Sequence, residues 1–111
     1  MRASEKYFSE FLGTLILLLS IVGSGIMGQN LSQNEGVILL ANSLAIGFTL
    51  TFLIITFGKR SGAHFNPAVS IARTLTDTFT GIHYSSIIPF VLSQFLGAIT
   101  ALIVLKRIYK I

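Results

Sequence analysis

Of the 111 residues, 52% are hydrophobic and only 11% charged, with a mean hydropathy of +0.79; soluble domains carry about 25% charged residues, so the composition excludes an ordinary soluble domain and points to a membrane. The net charge of +4 is not a nucleic-acid footprint, because Arg2, Lys6, Lys59, Arg60, Lys106, Arg107 and Lys110 flank apolar runs instead of forming a stripe. There is no cysteine, which excludes disulfides, thiolate metal sites and cysteine nucleophiles.

No charged residue interrupts the chain between Glu10 and Glu35, between Glu35 and Lys59, or between Asp77 and Lys106. Each gap exceeds the about 20 apolar residues a spanning helix needs. This predicts spans near residues 8–27, 37–57 and 87–105, within a single unit covering 1–111. The first run also has the outline of a signal peptide, with Arg2 and Lys6 before a Leu-rich core and Gly23-Ser24-Gly25 after it. Its length and the Glu10 at its start favour a span. Residues 28–36, polar and holding Asn and Gly, read as a loop, and residues 59–65 as another.

Pro67 stands where a helix can begin, since proline is tolerated at the first helical position. Residues 68–75 can continue for about two turns, too short to cross a bilayer. A short apolar helix opened by Asn-Pro between two spans reads as a re-entrant half-helix, with its loop, over about 61–75. The predicted fold is thus an all-α membrane protein with three transmembrane helices and one re-entrant half-helix. Small residues four apart, Ser20/Ser24/Gly28 and Ser93/Gly97/Ala101, predict close helix packing. A short echo relates Ser9-Glu10-Phe11-Leu12-Gly13 to Ser93-Gln94-Phe95-Leu96-Gly97. With the N-terminus inside, Arg2, Lys6, Lys59, Arg60 and Arg73 are cytoplasmic and Lys106, Arg107 and Lys110 are outside, a weak positive-inside bias.

Non-helical backbone survives at membrane depth only where it lines a cavity or is buried in protein. Carbonyls of Ser61-Gly62-Ala63-His64-Phe65 would form a row of acceptors, and the Asn66 amide can donate two hydrogen bonds. The half-helix adds a positive dipole end worth about half a charge, which opposes cations and protons. This suits a small neutral polar molecule and requires no reaction, metal or cofactor. The two His and four acidic residues show no paired carboxylates, metal spacing or phosphate loop. Several residues keep a plainer reading: His64 as a packed loop histidine, Glu10 as an interfacial charge, and Tyr7, His83 and Tyr84 as interfacial anchors. Arg73 and Asp77, four apart, read as a surface pair worth about 0.3–0.5 kcal/mol.

The stretch Ser61-Gly62-Ala63-His64-Phe65-Asn66-Pro67-Ala68-Val69 resembles the first signature loop of the major intrinsic proteins, the aquaporins and aquaglyceroporins. Glu10-Phe11-Leu12-Gly13-Thr14 resembles the family's first-span motif, and Gln94-Phe95-Leu96-Gly97-Ala98 its third-span motif. These matches cover the chain in order. The resemblance implies one inverted-repeat half of an aquaporin-like fold, and a passive channel or half-channel for water and small neutral solutes in a bacterial inner membrane. It implies Asn66 as the central pore donor, Pro67 and Ala68 as the cap of the half-helix, and Gly62, Ala63 and His64 as carriers of pore carbonyls. Glu10 would hold the loop through backbone N–H groups, with Gln94 supporting it. Leu50 and Val69 would line the apolar wall. Ile46 would stand at a filter position where water-only relatives carry an aromatic ring, which implies a wider, more apolar filter for glycerol-like or arsenite-like solutes.

The family builds its pore from two such halves. The resemblance therefore also implies a partner: an antiparallel copy of this chain, or a separate C-terminal half, with a higher homo-oligomer conceivable on top. In a pore of two copies, Val69 would stand where relatives place a filter arginine. The alternative is a truncated, non-conducting membrane remnant or an oligomeric scaffold.

Overall fold

Both prolines lie in the first turn of a helix, where no intrahelical N–H bond is lost, so nothing breaks the long apolar runs. The computed structural model describes residues 2–76 and 81–111. Its elements are α1 (Ala3–Leu31), α2 (Glu35–Ser61), α3 (Pro67–Thr74), a 3₁₀ turn (Tyr84–Ser86) and α4 (Ile87–Tyr109), and the described residues hold no strand. Among the described residues three helices are long and apolar enough to cross a membrane: α1, α2, and α4 with its leading 3₁₀ turn. At 1.5 Å per residue α1 is about 43 Å long, in keeping with a longest molecular dimension of 45 Å.

Each long helix outruns its predicted span. Gln29 and Asn30 remain in α1 and Gly36 is already in α2, so the loop expected over 28–36 shrinks to 32–34. Lys59, Arg60 and Ser61 complete the last turn of α2, which confines the second loop to 62–66. The apolar run marks the part of a helix inside the hydrocarbon, whereas the backbone stays hydrogen-bonded through the interfacial turns until a cap stops it. The caps are visible. Asn34 Oδ1 accepts from Val37 N at 3.1 Å, opening α2. Gly62, at φ 91°, closes it with its N–H on the Gly58 carbonyl at 3.0 Å.

α1 is the central helix, packed against α2 on one side and α4 on the other, and α3 lies on α4. The small residues make these contacts. Gly97 is buried against the backbone of α1 near Phe11, where even a methyl group would collide. Ser20 pairs with Thr49 at 2.8 Å, and Asn42 donates to Ser24 at 2.8 Å and to the Ile21 carbonyl at 2.9 Å. The Arg73–Asp77 pair expected from the sequence falls outside the described residues at Asp77. The all-α fold of three spanning helices plus one short helix is as the sequence predicts.

Candidate functional site

After α2 the chain reverses through 62–66. Ala63 and Phe65 both take left-handed conformations, φ 54° and 55°, at a cost of about 1–2 kcal/mol per residue. A buried carboxylate offsets that strain. Glu10 of α1, fully enclosed, accepts four hydrogen bonds. Ser61 Oγ donates to Oε2 at 2.6 Å and His64 N at 3.2 Å, while Phe65 N donates to Oε1 at 2.9 Å and Gln94 Nε2 at 2.7 Å. Two oxygens with about four lone-pair sites thus meet four donors. Gln94 Nε2 also donates to Ser70 Oγ at 2.9 Å, and Ser70 Oγ lies 2.9 Å from His64 Nδ1. Side chains from α1, α2, the loop, α3 and α4 therefore share one enclosed polar cluster.

The cluster dictates where the loop carbonyls go. No peptide bond among the described residues is cis. In a trans peptide the carbonyl of one residue is antiparallel to the N–H of the next. Since His64 N and Phe65 N point at Glu10, the carbonyls of Ala63 and His64 point away from it. Ala63 N points at Ser61 Oγ at 3.2 Å, which turns the Gly62 carbonyl the same way.

At the head of α3 the Asn66 side chain has a fixed sense. Its Oδ1 accepts from Ala68 N at 2.8 Å, a bond the amide nitrogen cannot make, so both amide hydrogens are left on the exposed side. The Asn66 carbonyl accepts from Ser70 N at 3.0 Å, and Pro67 at the first helical position needs no donor partner. Asn66 and Pro67 border a recess of about 220 Å³ with Thr14, Leu18, Gln94 and Phe95. Thr14 and Gln94 lie well inside their long helices, so this re-entrant helix starts deep within the span region. Two buried atoms of the lining residues, Thr14 Oγ1 and Gln94 Oε1, have no hydrogen-bond partner.

The structure brings Glu10, His64 and Gln94 together in the polar cluster and Asn66, Pro67 and Gln94 at the recess. The His64 ring is buried, 5.2 Å from the Phe90 ring, which matches the reading of a packed loop histidine. Leu50 and Ala63 stand elsewhere, against the core of Leu53, Phe57 and Phe65, where the two phenylalanine rings meet edge-on at 6.1 Å. Ile46, half-buried on α2, borders neither group; Val69 is a half-buried neighbour of Ser70, and Ala68 is exposed. Sequence reasoning missed Ser70 and the side chains of Ser61 and Phe65. The available signal for Ser70 was a pair of hydroxyls four apart on α3, Ser70 and Thr74, beside exposed Ala68 and Ile71.

Helices long enough to span, interrupted by a strained loop and a half-helix that begins at depth, define a membrane protein built around a re-entrant element. The chain belongs to the major intrinsic protein family, whose profile matches residues 1–111. It is 41% identical over 96 residues to the aquaglyceroporin AqpS of Rhizobium meliloti, covering 86% of this chain and 40% of that protein. It is 35% identical over 109 residues to a glycerol uptake facilitator protein of Streptococcus pneumoniae, covering 96% of this chain and 44% of that protein. Identity to the aquaporin Z of Photorhabdus laumondii is 35% over 101 residues, 91% of this chain and 42% of that one. The chain thus spans less than half the length of these curated relatives. No solved structure matches it. It is an integral, multi-pass membrane protein of a family of channels.

Proposed function

We propose that the chain forms one half of a passive channel for water and small neutral solutes such as glycerol, in the inner membrane of a bacterium. The observation that carries this reading is Asn66. Its oxygen is held by the Ala68 N–H, so its two amide hydrogens face outward at the positive end of the α3 dipole, deep between the long helices. A neutral solute accepts from that amide and donates to the Gly62, Ala63 and His64 carbonyls turned away from Glu10, while the dipole disfavours cations. Ile46, Leu50 and Val69 supply apolar wall. With an aliphatic Ile46 at the filter the pore admits glycerol as well as water, in line with the names of two relatives, an aquaglyceroporin and a glycerol uptake facilitator.

A complementary half completes the pore, from an antiparallel second copy or a separate C-terminal half, and pores can group further into homo-oligomers. Support for a complement lies in the exposed donors of Asn66 and the uncovered flank of α3. Polar groups left facing lipid cost several kcal/mol each.

Osmotic light scattering on proteoliposomes tests the reading, with the chain alone and with a separately made C-terminal half. Native protein is expected to speed both water and glycerol flux. Asn66→Asp keeps the oxygen that caps α3 but replaces the donors with a negative charge, and is expected to abolish flux of neutral solutes without loss of fold. Equal rates for the two proteins would remove Asn66 from the pore, and water flux without glycerol flux would overturn the role given to Ile46.

A further inference from the structure

At the end of the molecule where α2 stops, a small cavity of about 110 Å³ opens between Lys6 of α1, the stretch from Gly58 to Gly62, and Gly81 ahead of the 3₁₀ turn. Three cationic residues, Lys6, Lys59 and Arg60, border it from two helices, and among the described residues no acidic one does. Among the described residues the one side-chain ion pair joins Arg2 to Glu5 at 4.0 Å, and the nearby Glu10 carboxylate, buried behind Ser61 of the cavity wall, is engaged by four hydrogen-bond donors and forms no ion pair with the three cations. The C-terminus of α2 carries about half a negative charge, enough to account for one cation but not for three around one space. Cations that merely flank a span fan out to separate positions in the headgroup layer; here three exposed ones from two helices border a single cavity with glycine in its wall.

We propose that this cavity is a binding site for a phosphate group, occupied by the headgroup of an anionic phospholipid. Lys6 and Lys59 act as point charges, and the Arg60 fork suits paired phosphate oxygens. Basic pockets between spanning helices take anionic headgroups in this way. Gly58 borders the cavity, and a Cβ built there meets no atom within 4 Å. The cavity lies at the ends of the spans, at headgroup level, which favours a lipid over a free ion, although inorganic phosphate has the same recognition chemistry.

The test uses the full chain purified in a neutral detergent and follows its thermal midpoint during titration. The additives are short-chain phosphatidylglycerol, phosphatidylcholine of the same chain length, and inorganic phosphate. Phosphatidylglycerol is expected to raise the midpoint by several degrees in a saturable manner, and phosphatidylcholine to leave it unchanged. The triple variant Lys6→Gln/Lys59→Gln/Arg60→Gln is expected to weaken the response at least tenfold. Gly58→Leu is expected to do the same with every charge retained, because it adds bulk at a residue that lines the cavity; the new Cβ meets no atom of the native structure and the change improves helix propensity, which favours a folded variant. A full response to inorganic phosphate at the same concentrations keeps the phosphate site but makes a free ion its occupant. No response to phosphatidylglycerol, an equal response to phosphatidylcholine, or a response that survives in either variant overturns the proposal.

Discussion

Glu10 shows how one side chain holds a strained segment in place. Its oxygens collect the N–H groups of His64 and Phe65, the two donors that the left-handed turns at Ala63 and Phe65 bring to one side of the chain. A buried donor left unsatisfied costs about 1–3 kcal/mol. Glu10→Gln is therefore far from conservative. Whichever way the new amide turns, its nitrogen meets a backbone N–H, donor against donor. Unfolding in mixed micelles is expected to show a loss of at least about 2 kcal/mol, with faster proteolysis within 62–66. An unchanged midpoint and an intact loop would mean that other contacts hold the turn. Glu10 and Gln94 were legible in the sequence as members of span motifs. The hydroxyls of Ser61 and Ser70 were not, because the cluster joins residues up to 84 positions apart and no local pattern carries such a pairing. Asn66 was legible as a donor, but the sequence could not say that the Ala68 N–H would choose which end of its amide faces outward.

At the scale of elements, the half-helix could be read from Pro67 with fair accuracy, since proline both permits a helix start and sets its geometry. The ends of the long helices could not. Hydropathy reports where lipid begins, and Asn34 and Gly62 report where hydrogen bonding stops; the two differ by several residues at each interface. The small-residue spacing was a sounder guide, because close approach of backbones demands it. Gly97 is the strongest case. A Cβ there would overlap the Phe11 carbonyl oxygen and stand 3.2 Å from Leu15 N and Thr14 Cβ, all on α1. Backbone yields less readily than a side chain, so Gly97→Ala should force α1 and α4 apart, with a loss of about 1–3 kcal/mol in the same unfolding assay. Gly47→Ala is the matched control. Its Cβ meets nothing within 4 Å, and alanine improves helix propensity by roughly 1 kcal/mol, so its midpoint should hold or rise. Equal effects of the two changes would leave Gly97 with no special part in the α1–α4 contact.

Considered whole, the molecule is an open arrangement in which α1 touches both neighbouring spans and α2 is covered on one side only. Phe48, Phe52 and Ile55 of α2 and Leu92, Phe95 and Leu96 of α4 are exposed, so lipid or a second set of helices must meet them. The charges bear on which. Lys6, Lys59 and Arg60 gather at one end, and Lys106, Arg107 and Lys110 sit in the last turn of α4 and just beyond it. Loop cations set orientation by their asymmetry, and three against three at the two ends, with Arg2 and Arg73 as the remaining bias, is a weak instruction. If two antiparallel copies build the proposed pore, both orientations must insert. The chain has no cysteine, so Lys110→Cys introduces a single thiol at the α4 end while most of the charge balance is kept. An impermeant thiol reagent applied to intact cells should label one pool, and a second pool of comparable size should react only after lysis. A single pool would exclude the antiparallel pair and leave the separate C-terminal half as the source of the missing wall. Two pools together with flux from the purified chain alone would locate both halves of the pore in one sequence.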